Sequence, residues 1–217
     1  MSERKLEGLE PRSVFRFFEE ICAIPHGSHH TKAISDYLVA FAKSHKLEYI
    51  QDESNNVILF APGTCGMEDH APVILQGHMD MVCEKDVDCP LDMAVDGLDL
   101  THDEVSVYAR GTTLGGDDGI AVAYALAILD DGSIPHPPLE VIITVDEEVG
   151  MLGAAAMIDG LVERLRDEVG AASLPVIATG GLAGAILPYC RTQCRHEPEL
   201  VLLGLRHIWE INRMKRR

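Results

Sequence analysis

Three short polar clusters stand where this chain could do chemistry. Gly77-His78-Met79-Asp80 follows the apolar run PVILQ. Gly115-Gly116-Asp117-Asp118-Gly119 precedes an Ala-rich run, and Asp146-Glu147-Glu148 follows LEVIITV. Taken singly, each has a plain structural role. A His after a strand serves as a hydrogen-bonded core residue, an Asp pair caps a helix start, and two Glu in a loop are solvated. Brought to one sheet edge, the same residues form a set of imidazole and hard oxygen ligands suited to zinc, manganese or cobalt. With an Asp between two ions, such a set holds a two-metal site that activates water. In His78-x-Asp80 the Asp can accept a hydrogen bond from the ring nitrogen that faces away from a metal. In Glu147-Glu148 the neighbours cannot both point the same way along extended backbone. One can bind metal while the other faces substrate as general base.

Elements must bring these clusters together. Pro11–Ile24 has helical spacing of Val14, Phe17, Phe18 and Ile21, and Pro25 stops it. Thr31–His45 reads as a second helix with Thr31 as N-cap. Leu47–Ile50 and Asn56–Ala61 read as strands around the turn Asp52–Asn55. PVILQ, residues 72–76, reads as a strand buried on both faces. Residues 83–103 read as an acidic surface loop, and Val105–Ala109 as a strand. Ile120–Leu129 is an expected helix, Leu139–Val145 a buried strand, and Ala154–Val169 a helix. A strand at Pro175–Thr179 and an amphipathic helix at Glu199–Asn212 complete the series. The alternation predicts an α/β fold with a mostly parallel sheet and helices on both faces. Ligands of such sheets bind at the carboxyl ends of the strands, where two of the clusters lie.

Charge narrows the partners. The 217 residues carry 18 Lys+Arg against 35 Asp+Glu, a net of −17. Nucleic acid and anionic membranes repel such a chain, so neither is an expected partner. No run of apolar residues is long enough for a transmembrane helix, and MSERKLEGLEPRS lacks the apolar core of a secretory signal. Six cysteines without a tight framework point to a reducing, cytoplasmic setting. The charge is uneven. Residues 1–157 hold 9 Lys+Arg and 28 Asp+Glu, net −19, while 158–217 hold 9 and 7, net +2. A seam is therefore expected near residue 157, ahead of a basic end at Arg213, Lys215, Arg216 and Arg217.

Residues 6–157 resemble the N-terminal part of the catalytic domain of aminoacyl-histidine (Xaa-His) dipeptidases, the peptidase D group of the co-catalytic zinc peptidases. The stretches that carry the likeness are ICAIPHGSHH (21–30), LQGHMDMVCEKD (75–86), ARGTTLGGDDGIAVAYALAIL (109–129) and TVDEEVGMLGA (144–154). The resemblance implies a zinc-peptidase catalytic-domain-like fold, truncated here, with two Zn2+ per site and Mn2+ or Co2+ as substitutes. It implies metal ligation by His78, Asp117 and Glu148, with Asp117 bridging. Asp80 would orient His78, and Glu147 would act as general base. Asp118 stands where relatives often have an amide and is left out of the ligand set. The implied substrate is a small unblocked peptide, and a homo-oligomer is allowed for. His26, His29 and His30 are not expected to ligate metal, and neither are Cys83, Cys190, Cys194 and His196.

The family's further Asp or Glu ligand, its late His ligand and its lid domain are not recognisable in this sequence. Residues 158–212 instead resemble the C-terminal end of type III pantothenate kinases, through IDGLVERLRDEVG (158–170), PVIATGGLAGAI (175–186) and EPELVLLGLRHIWEIN (197–212). Two alternatives to a dipeptidase follow. One is a catalytically incomplete metal-binding fragment or fusion. The other, a pantothenate kinase, rests on the tail alone. The strand PVIAT is expected to join the main sheet. The chain is expected to fold less stably than a complete relative, because unrelated helices must cover an apolar sheet face.

Overall fold

A computed structural model describes residues 4–214. Lys215, Arg216 and Arg217 of the basic end lie outside the described residues. The chain divides into two compact units, Met1–Val149 and Gly150–Arg217.

The first unit opens with helix α1 (Arg12–Cys22), whose Val14, Phe17, Phe18 and Ile21 are buried. Helix α2 (Lys32–Ser44) buries Ile34, Leu38 and Phe41. Thr31 occupies its N-cap position, but the side chain makes no capping bond and is buried instead. Strands β1 (Glu48–Gln51) and β2 (Val57–Ala61) form a hairpin whose turn is tied by Asp52, which accepts the N–H groups of Ser54 and Asn56. Strand β3 (Val73–His78) leads to a small antiparallel pair, β4 (Leu100–His102) and β5 (Val107–Ala109). Helix α3 (Gly116–Asp130) and strand β6 (Leu139–Thr144) follow.

The main sheet has the order β1-β2-β6-β3. The class is α/β, but the sheet is mixed. β1–β2 and β2–β6 pair antiparallel, and β3–β6 alone is parallel. A connection as short as the Asp52 turn can only return the chain antiparallel, so β2 runs against β1. Register places Val57, Leu59, Ala61, Leu139, Val141 and Ile143 on one face. That row is buried in one core with side chains of α1, α2 and α3. The opposite row is less covered. Ile58, Phe60 and Ile142 are half-buried, and Ile50 and Ile74 are exposed. β3 is an edge strand and is not buried on both faces as its apolar run suggested; Val73 and Ile74 are 44% and 60% exposed.

In the second unit, helix α4 (Leu152–Val169) contains position 157. Strand β7 (Val176–Ala178) pairs parallel with β8 (Cys194–His196) and not with the main sheet, which corrects the expectation for PVIAT. Short helix α5 (Ala183–Ile186) and a 3-10 turn (Leu187–Tyr189) join them, and helix α6 (Leu200–Met214) ends the described chain. β8 was not visible in the sequence because CRH carries no apolar alternation. No helix among the described residues is long and apolar enough to cross a membrane.

Candidate metal centre

β3 and β6 run parallel and in register, with His78 opposite Thr144. Both therefore end at one edge, and the chain leaves β3 through Met79-Asp80 and β6 through Val145 to Glu148. Asn56 steadies the second exit by accepting the N–H of Val145 on Oδ1 at 3.0 Å. Gly115, at φ 69°, turns the chain into α3, where Asp117 and Asp118 depart from helical geometry and are joined by a cis peptide bond. Both carboxylates meet β3, Asp117 at the His78 ring and Asp118 at the His78 N–H.

The His78 ring is buried and has a carboxylate on each side. Its Nδ1 lies 3.0 Å from the Asp80 carbonyl oxygen and 3.4 Å from Asp80 Oδ1. Its Nε2 lies 3.2 Å from Asp117 Oδ1 and 3.9 Å from Glu147 Oε2. Burial alone would lower the imidazole pKa, but the hydrogen bond and charge of Asp80, with the bond to Asp117, raise it to about 9. Asp80 is fully buried. Burial pushes its carboxyl up, yet bonds from His78, Ser28 and the Glu147 N–H outweigh this and hold it below the usual carboxylate range. Ser28 Oγ donates to Asp80 Oδ2 at 2.8 Å. The N–H groups of Glu147 and Glu148 donate to the two Asp80 oxygens at 3.1 and 3.4 Å. Asp80 thus contacts both the His78 ring and the backbone of the loop that carries both Glu.

His78, Glu147 and Glu148 each offer a ligand atom, and these atoms lie within 4.8 Å of one another. This is the one such His/Cys/Asp/Glu group found among the described residues. The donors suit a divalent cation. One imidazole nitrogen lies near the carboxylates of Asp117 and Glu147, its other nitrogen is engaged by Asp80, and carboxylates that favour an imidazolium also favour a cation. Desolvation raises the Glu148 carboxyl; the His78 charge opposes this, and Glu147, Asp117 and Asp80 add to the rise. Asp117 lies at the solvent side of the ring, its side chain 88% exposed.

The structure therefore gathers His78, Asp80, Asp117, Glu147 and Glu148 at one sheet edge. Two further residues take part that the sequence did not single out, and Asp118, left out of the ligand set, joins them. Ser28 sits in the block PHGSHH, Asn56 immediately precedes β2, and Asp118 accepts the His78 N–H at 3.3 Å. A Cβ on Gly77 would come within 2.7 Å of Asp118 Oδ2, so the glycine makes room for that carboxylate. His26 is buried with Nδ1 2.6 Å from the Ile24 carbonyl oxygen, a structural role. Beside Glu148 lies an open groove of about 520 Å³, lined by Gly27, Ser28, His29, Met81, Met93 and Glu148 among others.

Known proteins resemble this chain in sequence and in shape. The profile of peptidase family M20/M25/M40 matches residues 74–198. The cytosol non-specific dipeptidase of Escherichia coli is 44% identical over 154 residues, covering 71% of this chain and 31% of the relative. The type III pantothenate kinase of Frankia alni is 40% identical over 116 residues, 49% of this chain and 46% of the relative. The crystal structure of aminoacylhistidine dipeptidase from Vibrio alginolyticus superposes with a TM-score of 0.67 at 42% identity, over 69% of this chain and 30% of that one. The chain thus spans about 30% of the length of each dipeptidase.

Proposed function

From the premise that the chain belongs to peptidase family M20/M25/M40, we propose that it carries the metal-dependent hydrolytic centre of a cytosolic dipeptidase, with Xaa-His dipeptides as substrates. The convergence of His78, Glu147 and Glu148 carries this reading. His78, Glu148 and Asp117 would hold divalent metal, zinc first, with manganese or cobalt compatible with the same donors. A bound ion would supply Lewis acidity toward the scissile carbonyl and toward water.

The protein's own residues do the rest. Glu147 takes a proton from the attacking water as the new C–O bond forms. It then delivers that proton to the leaving amine nitrogen as the C–N bond breaks. Asp80 keeps His78 Nδ1 engaged and holds the N–H groups of Glu147 and Glu148, so both carboxylates stay aimed. The 520 Å³ groove beside Glu148 is of a size that takes a small ligand.

The test is paired. Dialysed protein is assayed for metal content and for hydrolysis of dipeptides with and without a C-terminal His. Glu147→Gln should keep its metal and lose about 10²- to 10⁴-fold in rate, the usual weight of a general base. Bound metal with no hydrolysis of any dipeptide would favour the second reading, a metal-binding portion without turnover. That reading draws on the 31% span of the dipeptidase relative. No bound metal would sink both. Kinase activity is not proposed, since the pantothenate kinase matches cover 46% of one relative and 26% of another.

A further inference from the structure

Beside the carboxylate pair, two non-glycine residues in left-handed backbone are bonded to each other, and the reaction above uses neither. Asp146 has φ 54° and His29 has φ 67°. The His29 N–H donates to Asp146 Oδ1 at 2.6 Å, and His29 Nδ1 lies 3.4 Å from Asp146 Oδ2. The Asp146 side chain is only 15% exposed. One residue earlier, Ser28 Oγ bonds Asp80, whose oxygens take the N–H groups of Glu147 and Glu148. Two consecutive residues thus reach one loop by two routes, directly at Asp146 and through Asp80 at both Glu.

The reaching segment is itself anchored. The Met81 N–H donates to the His26 carbonyl, and the Ser28 N–H to that of Met81. A Cβ on Gly27 would lie 2.5 Å from Cys83 Sγ, so the segment lies close against the chain that follows Asp80. Left-handed backbone at ordinary residues persists only where surrounding bonds over-determine it, and such residues cluster at functional sites.

We propose that Ser28 and His29 are positioning residues for the Glu147–Glu148 pair, acting through Asp80 and Asp146 to hold both carboxylates at the His78 ring. The proposal rests on the reading of His78 and Glu148 as metal ligands, with Glu147 as general base. It gives the PHGSHH block a function without making its histidines ligands.

The experiment compares wild type with Ser28→Ala, Asp146→Ala and Asp146→Asn. Hydrogen exchange by mass spectrometry follows residues 146–149 in metal-free protein. A Co2+ titration read by visible absorption follows the site. Ser28→Ala and Asp146→Ala should speed exchange of the Glu147 and Glu148 amides about tenfold or more and weaken Co2+ binding about 10- to 100-fold. Asp146→Asn keeps an acceptor oxygen and tolerates the left-handed region, so it should stay near wild type in both. Far-UV circular dichroism checks folding. Should Asp146→Ala not fold, Ser28→Ala carries the test, since Ser28 is not left-handed. Unchanged exchange in these variants overturns the proposal while leaving the metal reading intact. Faster exchange with unchanged Co2+ affinity also overturns it, because the tether would then not position the ligands. A wild type that takes up no Co2+ fails the metal reading and with it the proposal's claim on ligands, and exchange then decides the tether alone.

Discussion

The two units treat their apolar residues in opposite ways. In Met1–Val149, Ile34, Leu38, Ala42, Val57, Leu59, Ala123 and Leu126 are fully removed from solvent. They come from helix α2, strand β2 and the Ala-rich helix α3, and all lie in one core. In Gly150–Arg217, helix α4 buries Gly153, Ala155 and Asp159. Helix α6 leaves Val201, Leu202, Leu205, Ile208 and Trp209 more than half exposed. Four consecutive apolar residues, Leu200 to Leu203, span the whole circumference of a helix, a pattern typical of helices buried all round. Helix formation and burial are thus separate achievements. The first unit has both. In the second, α6 forms without that burial.

The largest expected effect follows from this contrast. Leu126→Ala removes a fully buried side chain from the core that supports α3. It should cost about 2–5 kcal/mol, the range for cavity-forming Leu→Ala changes. Leu205→Ala, at a position 59% exposed, should stay within about 0.5 kcal/mol. Urea unfolding of both variants, followed by far-UV circular dichroism, checks the pair. Equal costs would mean that α6 is covered in solution.

Next in size is an acid-sensitive anchor confined to the second unit. Asp159 is buried and accepts the N–H groups of Arg191 and Thr192, both at 2.8 Å. Burial raises its carboxyl, but those N–H bonds outweigh it and hold the group below the ordinary 3.8. A folded-state value below the unfolded one stabilises the ionised, folded form. The contribution is complete above the unfolded value and disappears as pH falls through the folded one. Fluorescence of Trp209, the single Trp of the chain, should therefore report loosening of the second unit as pH falls below the ordinary carboxylate value of 3.8. Asp159→Asn should already be loosened at neutral pH, with one N–H left unsatisfied at a cost of about 1–3 kcal/mol, and should respond less to acid.

How much was legible in sequence also divides along this line. The helices at 12–22 and 32–44 and the strand at 139–144 were readable because their apolar residues recur with a single period, and that period is what the core uses. PVILQ predicts a doubly buried strand because an apolar run looks the same at a sheet's edge as at its centre. Only pairing, which depends on distant residues, tells them apart. The five site residues were visible as chemistry, but the part played by Ser28 was not. Its bond to Asp80 links positions 52 residues apart, and no local pattern signals it. The strand at 176–178 was found, yet its partner, 194–196, lacked any apolar signature.

The smallest effects should differ even in sign. Gly97 lies against backbone; an added Cβ would meet the carbonyl oxygen and Cα of Ala23 at 2.7 and 2.9 Å. Backbone cannot swing aside as a side-chain end can, so Gly97→Ala should destabilise the first unit by about 1–3 kcal/mol, as overpacking does. Gly204 lies inside α6, and a Cβ there meets nothing within 4 Å. Alanine in that helix restricts the unfolded chain and adds no clash, so Gly204→Ala should stabilise the second unit by about 0.5–1 kcal/mol. Thermal melts of the two variants read the opposite signs directly. A destabilising Gly204→Ala would show that something packs closely on α6 in solution, and the contrast between a self-sufficient core and an uncovered helix would then fail at its clearest point.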